Sequence, residues 1–121
     1  MDENSSSKVY NLEERTYLFA RNVRAYIKRL PKTLSNIEDC RQLNNASGSV
    51  GANYIEANEA LSRKDFRMRI KISRKESKES RYWLRLVDTG DDAELERHRG
   101  GLIQESTELL KILSSILQKT E

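Results

Sequence analysis

Four stretches of the chain repeat their apolar residues at steps of three and four, the spacing of one buried stripe on an α-helix. In the first, Leu12, Thr16, Phe19, Val23, Tyr26 and Leu30 recur in this way, and the spacing predicts a helix over about 12–30, ended by Pro31. A second helix is expected over about 36–60. The third, about 63–88, carries one stripe of Phe66, Ile70, Ser73, Ser77, Leu84 and Val87 and another of Ile72, Glu76, Glu79, Trp83 and Leu86. The fourth, about 92–119, repeats Leu95, Leu102, Leu109 and Ile116 every seventh residue, flanked by Ile103, Leu110, Leu113 and Leu117.

Capping pairs mark the starts. A Ser, Thr, Asp or Asn three residues before an acid can satisfy orphan backbone donors at a helix N-terminus. Asn11 with Glu14, Ser35 with Glu38, Ser62 with Asp65 and Asp91 with Glu94 have this spacing, and Gly90 is placed to cap the end of the third helix. Two places test the pattern. The run Ala46 to Ala52 holds Gly48 and Gly51, each costing about 1 kcal/mol in a helix. It is either a loop between two shorter helices or a surface for close helix approach. The second is favoured, because Gln42, Ser49 and Glu56 then share a heptad stripe. Gly100 and Gly101 allow a bend in the fourth helix. Short connections make neighbouring helices antiparallel. The expectation is an all-α, antiparallel up-and-down four-helix bundle over residues 9–121, with residues 1–8 a disordered tail.

Composition narrows the classes. With 121 residues, one proline and five glycines, the chain has one domain's length and few residues for the turns of an all-β fold. Cys40 has no partner, which fits a reducing cytoplasm, and it reads as a small core residue more readily than a reactive thiol. No apolar run approaches the about 20 residues of a membrane span, and no signal peptide is evident. The net charge of +3 hides an uneven distribution: residues 1–62 balance, residues 63–85 hold ten Lys/Arg against three Asp/Glu, and residues 86–121 hold four against eight.

The ordered blocks Leu12-Glu13-Glu14-Arg15-Thr16, Phe19-Ala20, Leu30-Pro31, Gln42-Leu43, Ser49-Val50-Gly51-Ala52-Asn53-Tyr54-Ile55-Glu56-Ala57, Ser62-Arg63-Lys64-Asp65-Phe66 and Glu76 to Leu84 span about residues 9–119. Together they resemble the four-helix-bundle proteins encoded in intervening sequences of bacterial 23S rRNA genes. The resemblance implies an antiparallel bundle that assembles into a ring, typically a homopentamer; the number five belongs to the resemblance and not to the periodicity. That family is similar to the accessory variability proteins of diversity-generating retroelements, basic pentameric barrels that bind nucleic acid and a reverse transcriptase. It implies no enzymatic activity. Gly48 and the Gly100-Gly101 pair depart from the family pattern.

The third helix supplies the main candidate site. Arg67, Lys71, Arg74, Lys78, Arg81 and Arg85 step by four and three, forming one cationic stripe about 27 Å long at 1.5 Å per residue. Like charges at this spacing repel by a few tenths of a kcal/mol per pair. Bound RNA or DNA would offset that, and recognition would then follow backbone charge rather than base sequence. Acids on the fourth helix or on a neighbouring subunit would also offset it, and a third reading is a plainly solvated face. Tyr82 lies near the stripe without an evident stacking platform.

A second set, Gln42, Ser49, Asn53, Glu56, Glu79 and Trp83, reads as a structural polar network. In it Asn53 and Glu56 satisfy one another, or Trp83 and Arg15 across the core, and fix helix register. Glu76 and Glu79 lack the Glu-x-x-His pairs of di-metal bundles, so no metal and no cofactor is expected. No nucleophile elbow or phosphate loop occurs, Cys40 and His98 lack a third member, and His98 reads as a solvated helix residue. Phe19, Tyr26, Tyr54, Trp83, Leu86 and the wide leucine face exceed one narrow stripe per helix, so part of them is expected in a subunit interface. The chain is therefore expected to be a non-enzymatic oligomeric scaffold. It would bind nucleic acid or, alternatively, act only as a protein-interaction module, with a polymerase among its candidate partners.

Overall fold

The computed structural model describes residues 11–121, so the expected tail at 1–8 lies outside the described residues. Four helices follow in order: α1 Leu12–Arg29, α2 Leu34–Asn58, α3 Arg63–Leu86 and α4 Ala93–Lys119; no strand occurs among the described residues. Each helix packs on its chain neighbours, and α1 also meets α4, closing a four-helix bundle. The core runs along its axis through Phe19, Val23 and Tyr26 of α1, Leu43 and Val50 of α2, Ile70 and Leu84 of α3, and Leu102, Leu109 and Leu113 of α4. Phe19 and Tyr26 are therefore spent inside the subunit, whereas Leu86 is 49% exposed and Tyr54 and Trp83 are half-buried. The buried row of α4 drifts from the seven-residue repeat onto Leu113 and Leu117, leaving Ile116 half-buried, because a straight helix turns every 3.6 residues.

Asn11 and Ser62 cap α1 and α3, their side chains accepting from the N–H groups of Glu14 and Asp65. The other two expected starts are corrected. Thr33, not Ser35, caps α2 and accepts from the Asn36 N–H at 3.2 Å. This earlier start sets Asn36 in the first turn. Its buried amide donates to the Pro31 and Asp88 carbonyls at 2.9 and 2.7 Å and accepts from the Asp88 N–H at 2.9 Å. One side chain thus ties together the two connections at that end of the bundle. Asp92, not Asp91, caps α4, accepting from Leu95 at 2.9 Å. Asp91 has φ 62°, a left-handed conformation incompatible with the extended geometry of a helix N-cap.

Three helix ends also differ. α1 stops at Arg29, with Leu30 extended ahead of Pro31, and α2 stops at Asn58 rather than Ala60. α3 stops at Leu86 rather than Asp88, and Gly90 does not cap it. Instead Arg99 of α4 donates to the carbonyls of Leu84, Arg85 and Val87 at 3.1, 3.2 and 2.6 Å, closing α3 two residues early. Gly90, with φ 67°, forms the turn beyond.

The small-residue run of α2 stays helical throughout. Its purpose is close packing. A Cβ added at Gly51 would lie 2.8 Å from Thr16 Oγ1 on α1 and 3.2 Å from Thr16 Cβ. On the other side, Ser73 of α3 donates to the Val50 carbonyl at 2.7 Å. The α3 core row is unusually rich in serine: Ser77 donates to the Ser106 carbonyl of α4 at 2.8 Å, and Ser80 to the Glu76 carbonyl within α3 at 2.8 Å. These hydroxyls are small enough for near backbone contact and satisfied where they are buried. α4 likewise continues through Gly100 and Gly101, which are exposed; a Cβ added at either would meet none of the described residues within 4 Å.

Candidate nucleic-acid interface

The α3 periodicity puts the core row and the cationic row on adjacent faces, and the cations consequently border α4. Arg67, Arg74 and Arg81, one every two turns, reach across to it. Arg67 Nη1 donates to the Leu117 carbonyl at 2.6 Å and Thr120 Oγ1 at 3.0 Å. Arg74 Nη1 donates to Ser114 Oγ at 3.5 Å, and Arg81 Nη1 to Thr107 Oγ1 at 3.1 Å. Lys71, Lys78 and Arg85 alternate with them and are exposed. Three guanidinium groups are thus braced, while the side chains of the intervening cations make no hydrogen bond to the protein among the described residues.

Every one of those acceptors is neutral. Among the described residues, none of the six cations lies within 4 Å of a carboxylate. Three acids of the C-terminal third pair with cations elsewhere. Glu105 takes Arg15 of α1 in two bonds of 2.7 and 3.0 Å, Glu94 takes Arg29 at 2.9 Å, and Glu96 takes Arg99 at 2.7 Å. Intrachain neutralisation of the stripe by α4 is therefore corrected: α4 meets it with hydroxyls and a backbone carbonyl. Five neighbouring steps of like charge, at about 0.2–0.5 kcal/mol each, leave roughly 1–2.5 kcal/mol of repulsion without an ion pair among the described residues to offset it.

The expected polar network does not come together. Gln42, Glu56 and Glu79 are exposed. Asn53 bonds the Ser49 carbonyl at 2.9 Å and accepts from Arg69 at 3.1 Å, while Arg15 turns to Glu105 instead. Trp83 is half-buried and meets Tyr82 edge-on, with ring centroids 5.0 Å apart. The set fails because its members spread around α2 and α3 beyond the faces in contact; serines and Asn36 carry the buried hydrogen bonds. Tyr82 itself is 54% exposed beside the stripe.

Other chemically suggestive residues are apart. Burial pushes the Cys40 thiol up against the opposing pull of Lys32, which suppresses the thiolate. His98 is not solvated as expected: it is half-buried, its ring lies edge-to-face on Tyr26 with centroids 5.0 Å apart, and burial, then Arg29, lowers its pKa. Glu76 is raised by burial and by Glu79, with Lys75 opposing. Among the described residues no three His, Cys, Asp or Glu side chains gather as a metal site, and no helix is long and apolar enough to cross a membrane.

Spacing alone identified the six cations. It did not identify their α4 counterparts, although Thr107 and Ser114 recur seven apart in register with Arg81 and Arg74. That shared interval was the available signal.

No curated protein matches the chain. Among solved structures, it is similar to a protein of unknown function from the S23 ribosomal protein family of Bacteroides thetaiotaomicron, at 30% identity and TM-score 0.75, over 87% of this chain and 96% of that one. A family model described as "23S rRNA-intervening sequence protein" matches residues 8–115. With nearly the whole bundle matched, the chain belongs to the 23S rRNA-intervening sequence protein family.

Proposed function

We propose that this protein is a non-enzymatic, oligomeric scaffold of the cytoplasm that binds RNA or DNA through the cationic stripe of α3. The observation that carries this reading is that, among the described residues, no carboxylate lies within 4 Å of Arg67, Lys71, Arg74, Lys78, Arg81 or Arg85, with three of them braced by neutral acceptors. Phosphates would relieve the repulsion and release counterions, and contacts spaced along a helix face suit backbone charge rather than base edges. The helices run up-and-down and antiparallel in this reading, as their short connections favour.

The subunits form a closed ring, with a homopentamer the form implied by the sequence resemblance. Exposed apolar groups support an interface. Tyr17 and Ile55 flank a mostly apolar groove of about 410 Å³ between α1 and α2, and Met68, Tyr82 and Leu86 line the outward face of α3. The same surfaces favour a second reading, a module that binds only proteins, a polymerase among them.

Fluorescence anisotropy with mixed-sequence single-stranded RNA and DNA over a salt series separates the two. Binding through six contacts predicts a log–log salt slope near −4, at about −0.7 per phosphate, and Gln at Arg67, Arg74, Arg81 and Arg85 together flattens it by about 3. No binding at low salt, together with a defined protein that co-purifies, rejects the nucleic-acid reading for the protein-binding one.

A further inference from the structure

The stripe is not uniform along its length. Where its N-terminal half passes the last turns of α4, the two helices enclose a cleft of about 400 Å³. Arg67, Lys71 and Arg74 line it from α3, and Lys111, Ser114 and Ser115 from α4. Gln118 lies beside them, and Glu121 is the one carboxylate in the lining. The cleft falls within the about 300–1,000 Å³ of small-molecule sites, room for more than one phosphate group with its water.

The walls are prepared for an anion. Arg67 and Arg74 are braced through Nη1 alone, so each keeps further guanidinium N–H groups for a ligand. Ser114 accepts from Arg74, and among the described residues neither Ser114 nor Ser115 donates its hydroxyl hydrogen to a protein acceptor. Lys111 adds from the facing helix a fourth cation that the stripe itself does not contain. Charge therefore converges from two helices here, whereas α4 offers Thr107 to Arg81 farther along.

We propose that this cleft is a discrete subsite for adjacent phosphate groups, with Lys111 and the Ser114–Ser115 hydroxyls completing what Arg67, Lys71 and Arg74 begin. The inference rests on the polyanion reading of the stripe and gives it a fixed anchoring point. The shared chemistry is a run of phosphates, supplied either by a nucleic-acid backbone or by a free condensed phosphate.

Isothermal titration of the full chain at low salt uses two probes, inorganic tripolyphosphate and a mixed-sequence single-stranded RNA. The variants are Lys111→Gln, Glu121→Gln and, as a charge-matched control outside the stripe, Arg97→Gln. Tripolyphosphate binds the wild type; Lys111→Gln weakens it about tenfold, the scale of one charge-assisted contact, and Arg97→Gln by less than about twofold. Glu121→Gln tightens it. RNA binding that also falls with Lys111→Gln supports a nucleic-acid backbone as the source. Tripolyphosphate binding without RNA binding supports the cleft and overturns the nucleic-acid reading of the stripe. RNA binding indifferent to Lys111→Gln, with tripolyphosphate still weakened, supports a free condensed phosphate as the source. Tripolyphosphate binding that is absent while RNA binds, or that is indifferent to Lys111→Gln, or that falls equally in Lys111→Gln and Arg97→Gln, overturns the cleft and leaves the stripe standing. No binding of either probe overturns both.

Discussion

Replacing Gly51 by alanine sets two opposed effects against each other. Alanine is favoured over glycine inside a helix by about 1 kcal/mol, which alone would stabilise α2. The new methyl, however, would lie 2.8 Å from Thr16 Oγ1 and 3.2 Å from Thr16 Cβ. Thr16 is 1% exposed and its hydroxyl donates to the Glu13 carbonyl at 2.9 Å, so the side chain has nowhere to swing; α1 and α2 must part. Overpacking of this kind costs about 1–3 kcal/mol. Gly48→Ala is the internal reference, one helical turn earlier on the same helix. Its nearest neighbour is Arg24 Nη2 at 3.2 Å, the far end of an exposed side chain that moves cheaply, so the propensity gain survives. Urea denaturation should therefore place Gly51→Ala at least about 1 kcal/mol below Gly48→Ala, or roughly 3–6 °C apart in thermal midpoint. Adding Thr16→Ala removes the 2.8 Å contact and should recover part of the loss, a coupling of about 1 kcal/mol in a double-mutant cycle. Equal stabilisation by both alanines would refute close α1–α2 approach as the reason for the glycine.

Two further predictions concern buried polar groups. Asn36→Ala strips three hydrogen bonds from the two connections it joins and should cost about 2–4 kcal/mol in urea denaturation; a loss below about 1 kcal/mol would mean the connections hold themselves. Tyr26 is fully buried, its hydroxyl has no hydrogen-bond partner among the described residues, and burial pushes its pKa up to about 12 from 10.0. The neutral phenol is thus favoured in the folded state: stability is unaffected below pH about 10 and falls by about 2–3 kcal/mol as pH rises to about 12. Tyr26→Phe should remove that alkaline loss without destabilising the protein at neutral pH. An unchanged alkaline profile would contradict it.

Sequence periodicity disclosed the helices because each buries one face, and a 3.6-residue repeat is visible in one dimension. It disclosed the stripe for the same reason. Starts and stops were legible only where the cap is local. Asn11 and Ser62 cap their own helices, whereas α2 begins where Asn36 can reach Asp88, and α3 ends where Arg99 can reach three of its carbonyls. Those boundaries are set by residues about 12 to 52 positions away. The site divides in the same way. The six cations share one helix and announce themselves, but whether carboxylates neutralise them depends on which face of α4 arrives. Glu105 arrives at Arg15, and Thr107 and Ser114 arrive at the stripe. The expected core network fails for the complementary reason: heptad position aligns polar residues along a helix but does not fix which helix faces touch.

Whether the α3 cations stand ready for phosphates, rather than being consumed within the fold, is tested most directly by side-chain NMR of the arginine Nε–H groups during titration with single-stranded RNA. Shifts concentrated in Arg67, Arg74, Arg81 and Arg85, reversed by added salt, are the predicted result. Shifts confined to Arg29, Arg97 and Arg99, or none in any arginine at low salt, would contradict it.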